Sequence, residues 1–160
     1  MFEPHIYEWS ERLILREGMN LMPYYDKEGQ LCIGVHRQLF CNPLNAAEQR
    51  ALGDFMHGIT INGAKMLLRN DVNRCLQQLV RSVKNFSGLS PDRQYVLLEM
   101  CFVLGWKELH RWKKMLTAIE HEHFDAAARE CLQSFYIQSA PLRVQYIAKT
   151  IQTGKWQMKF

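Results

Sequence analysis

"LREGMNLMPYYDKEGQLCIGVH", residues 15–36, is the stretch whose reading decides the fold. It sets Glu17 beside Gly18 and a second acid, Asp26, beyond Pro23 and two tyrosines, then alternates apolar and small residues around Cys32. Upstream, Ile6, Trp9, Leu13 and Ile14 recur at helical spacing and Gly18 is a natural left-handed terminator, which predicts a helix over 5–17 with Glu17 at its end. Downstream, "DKEG" reads as a turn closed by glycine, and Leu31, Ile33 and Val35 alternate with Cys32 and Gly34. A small β-hairpin or short sheet follows from that pattern.

Beyond residue 36 the periodicity is helical. Asn45 with Glu48 three residues on reads as a capping box opening a helix that should stop near Gly58. Thr60 can cap the next helix, whose stripe of Ile61, Ala64, Leu67, Leu68, Val72, Cys75, Leu76 and Leu79 is long enough to join two lobes. Ser90 and Pro91 open "RQYVLLEMCFVLG", apolar nearly all round as a central buried helix is, and Gly105 ends it. Further helices are predicted at 107–120, 124–134 and 141–153, the last closed by Gly154 before "KW" returns an aromatic to the body. The fold class is therefore α+β, mainly α. A small αβ lobe at 18–59, a connecting helix at 60–84 and a helical lobe of 85–160 plus the helix 5–17 make up one domain.

The composition bounds the rest. With 160 residues, 48% of them hydrophobic, the chain can bury a sizeable core. A formal charge of +4 suits an anionic partner such as nucleic acid, a membrane surface or a cell-wall polymer. Five cysteines, odd in number and widely spaced, fit reduced thiols better than a disulfide framework, and so a reducing compartment of synthesis. The first residues lack the charged and apolar regions of a signal peptide, and no run approaches the roughly 18 apolar residues of a spanning helix.

Glu17 and Asp26 carry the candidate chemistry. At a helix C-terminus the macrodipole disfavours ionisation, which suits Glu17 to act as a general acid, whereas Asp26 in a polar turn should stay ionised. Two carboxyls in such contrasting settings are what glycosidic bond cleavage needs. The chain holds 16 acids, however, so on the spacing alone two solvated side chains are the simpler account.

The order Glu17-Gly18, Leu21, Tyr24, Asp26, Gly29, Ile33 and Gly34 resembles the phage-type lysozyme (endolysin) family, the muramidases typified by T-even phage lysozyme. The resemblance continues through "NAAEQRAL", "ITINGAKMLLRNDVNRCLQQL", "EMCFVLG" and "SFYIQSAPLRVQYIAKTIQTGKW", so it covers nearly the whole chain in order. It implies a lysozyme-like fold and peptidoglycan glycan strands as substrate. Glu17 would protonate the glycosidic oxygen, and Asp26 would activate or position the attacking water. The family's water-holding threonine falls at Cys32, and Arg143 takes the place of an arginine that pairs with the acid across the cleft.

Three positions depart from the family: Cys32 has a weaker hydrogen-bonding group than threonine, the family's second glycine is lost so that His36 either replaces it or takes the place of the family's histidine after a deletion, and Val103 stands where Asn or Gln contacts substrate. With Gly34 and Arg143 they complete the candidate site. The resemblance implies no metal and no cofactor, a monomer, and cytoplasmic synthesis followed by delivery to the bacterial wall through an export or holin-type partner. A catalytically weakened peptidoglycan-binding or interaction protein is the alternative.

Blander readings compete elsewhere. Cys32 as a nucleophile needs an activating neighbour, and a buried structural thiol is the simpler account. His121, Glu122 and His123 lack a spaced ligand set and read as a solvated loop. "ELHRWKK" at 108–114 is a helix face with Trp112 packed inward rather than a nucleic-acid surface, and no nucleic acid is expected as a partner.

Overall fold

The computed structural model describes residues 3–157. Its elements divide into two units, one ending at Asn73 and the other beginning at Arg74. The fold is α+β and mainly helical, with one three-stranded antiparallel sheet. No helix among the described residues is long and apolar enough to cross a membrane.

The first unit opens with helix α1, Glu3–Glu17, which buries Trp9 and Leu13 as its apolar stripe requires. Gly18 ends it at φ 75°, donating its N–H to the carbonyl of Ile14. Strands β1 (Asn20–Tyr25), β2 (Leu31–Gly34) and β3 (Arg37–Gln38) then form the sheet in the order β1-β2-β3. Tyr24 lies opposite Cys32, and Cys32 opposite Gln38. The β1/β2 register slips between Asn20 and Tyr24, where Pro23 has no N–H to give a ladder. Ile33 packs with Leu44, Ile59, Ala64 and Leu67 in a small core.

The capping box is present: the Asn45 side chain accepts from the Glu48 N–H at 2.8 Å, and Glu48 Oε2 accepts from the Asn45 N–H at 3.0 Å. Helix α2, Ala46–Leu52, stops earlier than expected, because Gly53 takes a positive φ and Asp54 then caps a separate 3-10 turn, Phe55–His57, that ends at Gly58. Helix α3, Ile61–Ser82, starts where Thr60 Oγ1 accepts the Gly63 N–H and runs through the boundary between the units.

The two-residue strand β3 is pinned from below. All five guanidinium donors of buried Arg37 are used, on the Asn42 and Pro43 carbonyls, both oxygens of Glu48 and Asp71 Oδ1. Asn70 and Asn42 add amide donors to Glu48 and Asp71 at 2.8 and 3.0 Å, so the buried charges are paired and hydrogen-bonded together. This cluster fixes where the next residue, Gln38, points.

The second unit holds α4 (Pro91–Leu104), capped by Ser90 with Pro91 at its first position and ended by Gly105. The helix expected over 107–120 is two: α5, Trp106–Leu109, and α6, Lys113–Glu120. Arg111 and Trp112 donate backbone N–H groups three residues back, to Glu108 and Leu109, which tightens the turn and closes α5. Helices α7 (Phe124–Leu132) and α9 (Pro141–Thr153) pack together, with the short α8 (Tyr136–Ser139) between them in sequence. Arg93 caps α9 by donating to the Ile151 and Gln152 carbonyls, and the Trp156 ring meets Tyr95 edge-on while the Trp156 backbone N–H donates to Asp92 Oδ2.

Candidate active site

The turn after β1 holds Asp26 by its backbone. Its Oδ1 accepts the N–H groups of Glu28 at 3.0 Å and Gln30 at 2.8 Å, an arrangement that leaves Oδ2 aimed at the sheet. There Gln38 donates an amide at 2.8 Å and the Cys32 thiol lies at 3.6 Å. The Asp26 side chain is only 5% exposed, yet its carboxyl is held below the ordinary value, chiefly by the Gln30 N–H and further by Gln38, Glu28 and Cys32, against the opposing effect of burial. It is ionised at neutral pH.

Cys32 is fully buried on β2. Burial, followed by the charge and hydrogen bond of Asp26, pushes its thiol up to about 11, so it stays protonated and is a poor nucleophile. Its S–H has two acceptors, Asp26 Oδ2 and the Gln30 carbonyl at 3.4 Å.

His36 arrives by a break in the strand. Gly34 ends β2 at φ 68°, and His36 itself adopts φ 52°, a left-handed conformation costly for a side-chain-bearing residue. Two such residues reverse the chain and bring the imidazole back to Asp26, with Nε2 at 3.9 Å from Oδ2. A β-carbon at Gly34 would meet only ordinary contacts with Ala64 and Ile59, so its glycine serves the backbone conformation.

Glu17 ends α1, half-buried. Tyr24 links it electrostatically to the rest: burial first, then Cys32, Asp26 and Glu17, hold the phenol above its ordinary value, opposed by a hydrogen bond with Asn20. The first unit therefore gathers Asp26, Cys32 and His36 directly, with Gly34 behind them and Glu17 close enough to be felt at Tyr24.

Arg143 and Val103 belong to the second unit. Arg143 Nε lies 3.5 Å from the fully buried carboxylate of Glu99, and its Nη1 donates to the Tyr136 hydroxyl at 3.3 Å. Val103 is half-buried near the end of α4. His121 and His123 sit in an exposed turn, and the His121 ring contacts the Thr117 carbonyl.

Sequence reasoning missed Gln38 and Arg37. A strand of two residues is too short to show alternation, although "HRQ" following "CIGV" places Gln38 across from Cys32 once a tight reversal is assumed.

The mainly helical architecture with its small sheet is that of a lysozyme-like protein. No protein-family model matches the chain. Among curated proteins it is 25% identical over 152 aligned residues to probable T4-type lysozyme 2 of Dictyostelium discoideum, covering 86% of this chain and 89% of that protein. It is also 26% identical over 162 aligned residues to the pre-baseplate central spike protein Gp5 of enterobacteria phage T4, covering 91% of this chain. The match spans only 28% of the spike protein's length. By these similarities the chain resembles the phage-type lysozymes.

Proposed function

We propose that the chain is a muramidase, hydrolysing the β-1,4 bond between N-acetylmuramic acid and N-acetylglucosamine in peptidoglycan. The observation that carries this reading is the Asp26 carboxylate, ionised although nearly enclosed, with one oxygen fixed by backbone donors and the other presented beside Cys32 and Gln38. Glu17 gives its proton to the glycosidic oxygen as the bond to the anomeric carbon breaks. Water, oriented by Asp26, attacks that carbon from the opposite face and passes its proton to the carboxylate. Configuration is inverted, which requires the two carboxyls to stand at about 6.5–9.5 Å with water between. Acting on the wall would need delivery from the cytoplasm by an export or holin-type partner, and lysis would follow.

One observation favours a second reading, a weakened relative that binds glycan without efficient turnover. The Cys32 thiol spends its hydrogen on Asp26 or Gln30, where a threonine hydroxyl could also hold water. Purified peptidoglycan incubated with the protein separates the two. New reducing ends that vanish in Glu17→Gln support the muramidase. Glycan retained without cleavage, with cleavage restored by Cys32→Thr, supports the weakened relative.

A further inference from the structure

Asp26, Cys32 and His36 bring a carboxylate oxygen, a thiol sulfur and an imidazole nitrogen within 4.8 Å of one another, the one such group among the described residues. These are the donor types of catalytic zinc sites, in which three protein ligands leave a fourth position open. Tetrahedral zinc with bonds of about 2.3 Å to sulfur and about 2.0–2.1 Å to nitrogen and oxygen sets sulfur and oxygen about 3.6 Å apart and nitrogen and oxygen about 3.4 Å apart. Cys32 Sγ and Asp26 Oδ2 lie at 3.6 Å, and His36 Nε2 and Asp26 Oδ2 at 3.9 Å. The His36 side chain, 34% exposed, is the member with room to close the remaining gap and marks the side from which an ion would enter.

The surroundings favour the same atoms. Backbone N–H groups occupy Asp26 Oδ1 and leave Oδ2 toward the other two donors. Gln38 orients that oxygen from outside, as partners of metal-ligating carboxylates do. Left-handed backbone at His36 holds the ring over the carboxylate.

We propose that Asp26, Cys32 and His36 form a three-ligand site for a thiophilic divalent cation of the zinc class, and that the bound ion switches glycan cleavage off. On binding, the Cys32 thiol releases its proton to solvent and the sulfur bonds the ion as thiolate, with no change of oxidation state. Asp26 Oδ2 is then committed to the ion and no longer accepts a proton from water. The switch rests on the muramidase reading; the metal site does not.

The test titrates the full chain with cobalt(II) as a coloured stand-in, then displaces it with zinc. An equimolar thiolate-to-cobalt absorption band is expected that Cys32→Ser abolishes, that His36→Ala weakens, and that Cys41→Ser, at an exposed thiol, leaves intact. Gln38→Leu should weaken binding by about 10- to 100-fold. Circular dichroism verifies that each variant is folded. Absence of a band, or a band that survives Cys32→Ser, overturns the site. Glycan cleavage is then compared with excess chelator and with equimolar zinc, and a drop reversed by chelator is expected. Cleavage unchanged by bound zinc overturns the switch. Cleavage absent even with chelator, alongside an intact cobalt band, overturns the muramidase reading and the switch together while the metal site stands.

Discussion

The first unit contains two polar clusters that meet at the short strand β3, one through Arg37 and the other through Gln38, and they are built on opposite plans. Around Arg37 every guanidinium donor has an acceptor, and Glu48 and Asp71 take further amides from Asn70 and Asn42. Around Asp26 only one oxygen is locked by the backbone; the other meets a weak thiol donor, one amide and an imidazole at 3.9 Å. The saturated cluster is what a buried charge needs to fold, and the loosely furnished one is what a reaction or a ligand needs to enter. One holds β3 in place so that the other is shaped.

Substitutions in the two clusters should consequently fail in different ways. The largest stability loss is expected from Arg37→Met, which strands the Glu48 and Asp71 carboxylates in the interior. About 3–5 kcal/mol should be missing in urea unfolding, and a loss below about 1 kcal/mol would break the distinction drawn here.

Acid should expose the same difference. Burial alone would push the Glu48 carboxyl up, but hydrogen bonds from Asn70, Arg37 and the Asn45 N–H bring it below the ordinary value, and Asp26 is lowered too. Each group then stabilises the folded state above its unfolded pKa, a contribution lost as pH falls through the lower folded value. Melting temperature should decline below about pH 4, and Glu48→Gln should flatten that decline.

Gly34→Ala sharpens the picture at the backbone. No clash awaits the methyl group, so the cost should be that of the left-handed conformation alone, about 1–2 kcal/mol, measured by the same unfolding curves. The smallest effect concerns thiol reagents. Cys41 is exposed and should be modified first, while Cys32, held near 11, and Cys131, pushed by burial to about 12, should react only slowly in folded protein, as peptide mass mapping would register.

Much of this was legible in the sequence. The Gly18 terminator, the Asn45 capping box, the Ser90-Pro91 start of α4 and the Gly154 stop of α9 are local signals with local causes, and each lies where the residues put it. Asp26 and Cys32 were visible as a turn acid and a strand thiol. Their meeting with His36 was not, because it depends on two positive-φ residues, Gly34 and His36 on either side of Val35, that periodicity does not encode. Arg37 carried no signal of its own. Its burial arises from acceptors eleven and thirty-four residues away, a long-range fact with no short-range signature.

The most direct test sets Asp26→Asn beside Glu48→Gln and measures both glycan cleavage, as reducing ends released from purified peptidoglycan, and melting temperature at neutral pH. The account predicts that Asp26→Asn loses about 10²–10⁴-fold in cleavage with a smaller drop in melting temperature than Glu48→Gln, which melts early but cleaves normally when folded. Cleavage that persists in folded Asp26→Asn would contradict the assignment of chemistry to the Asp26 cluster.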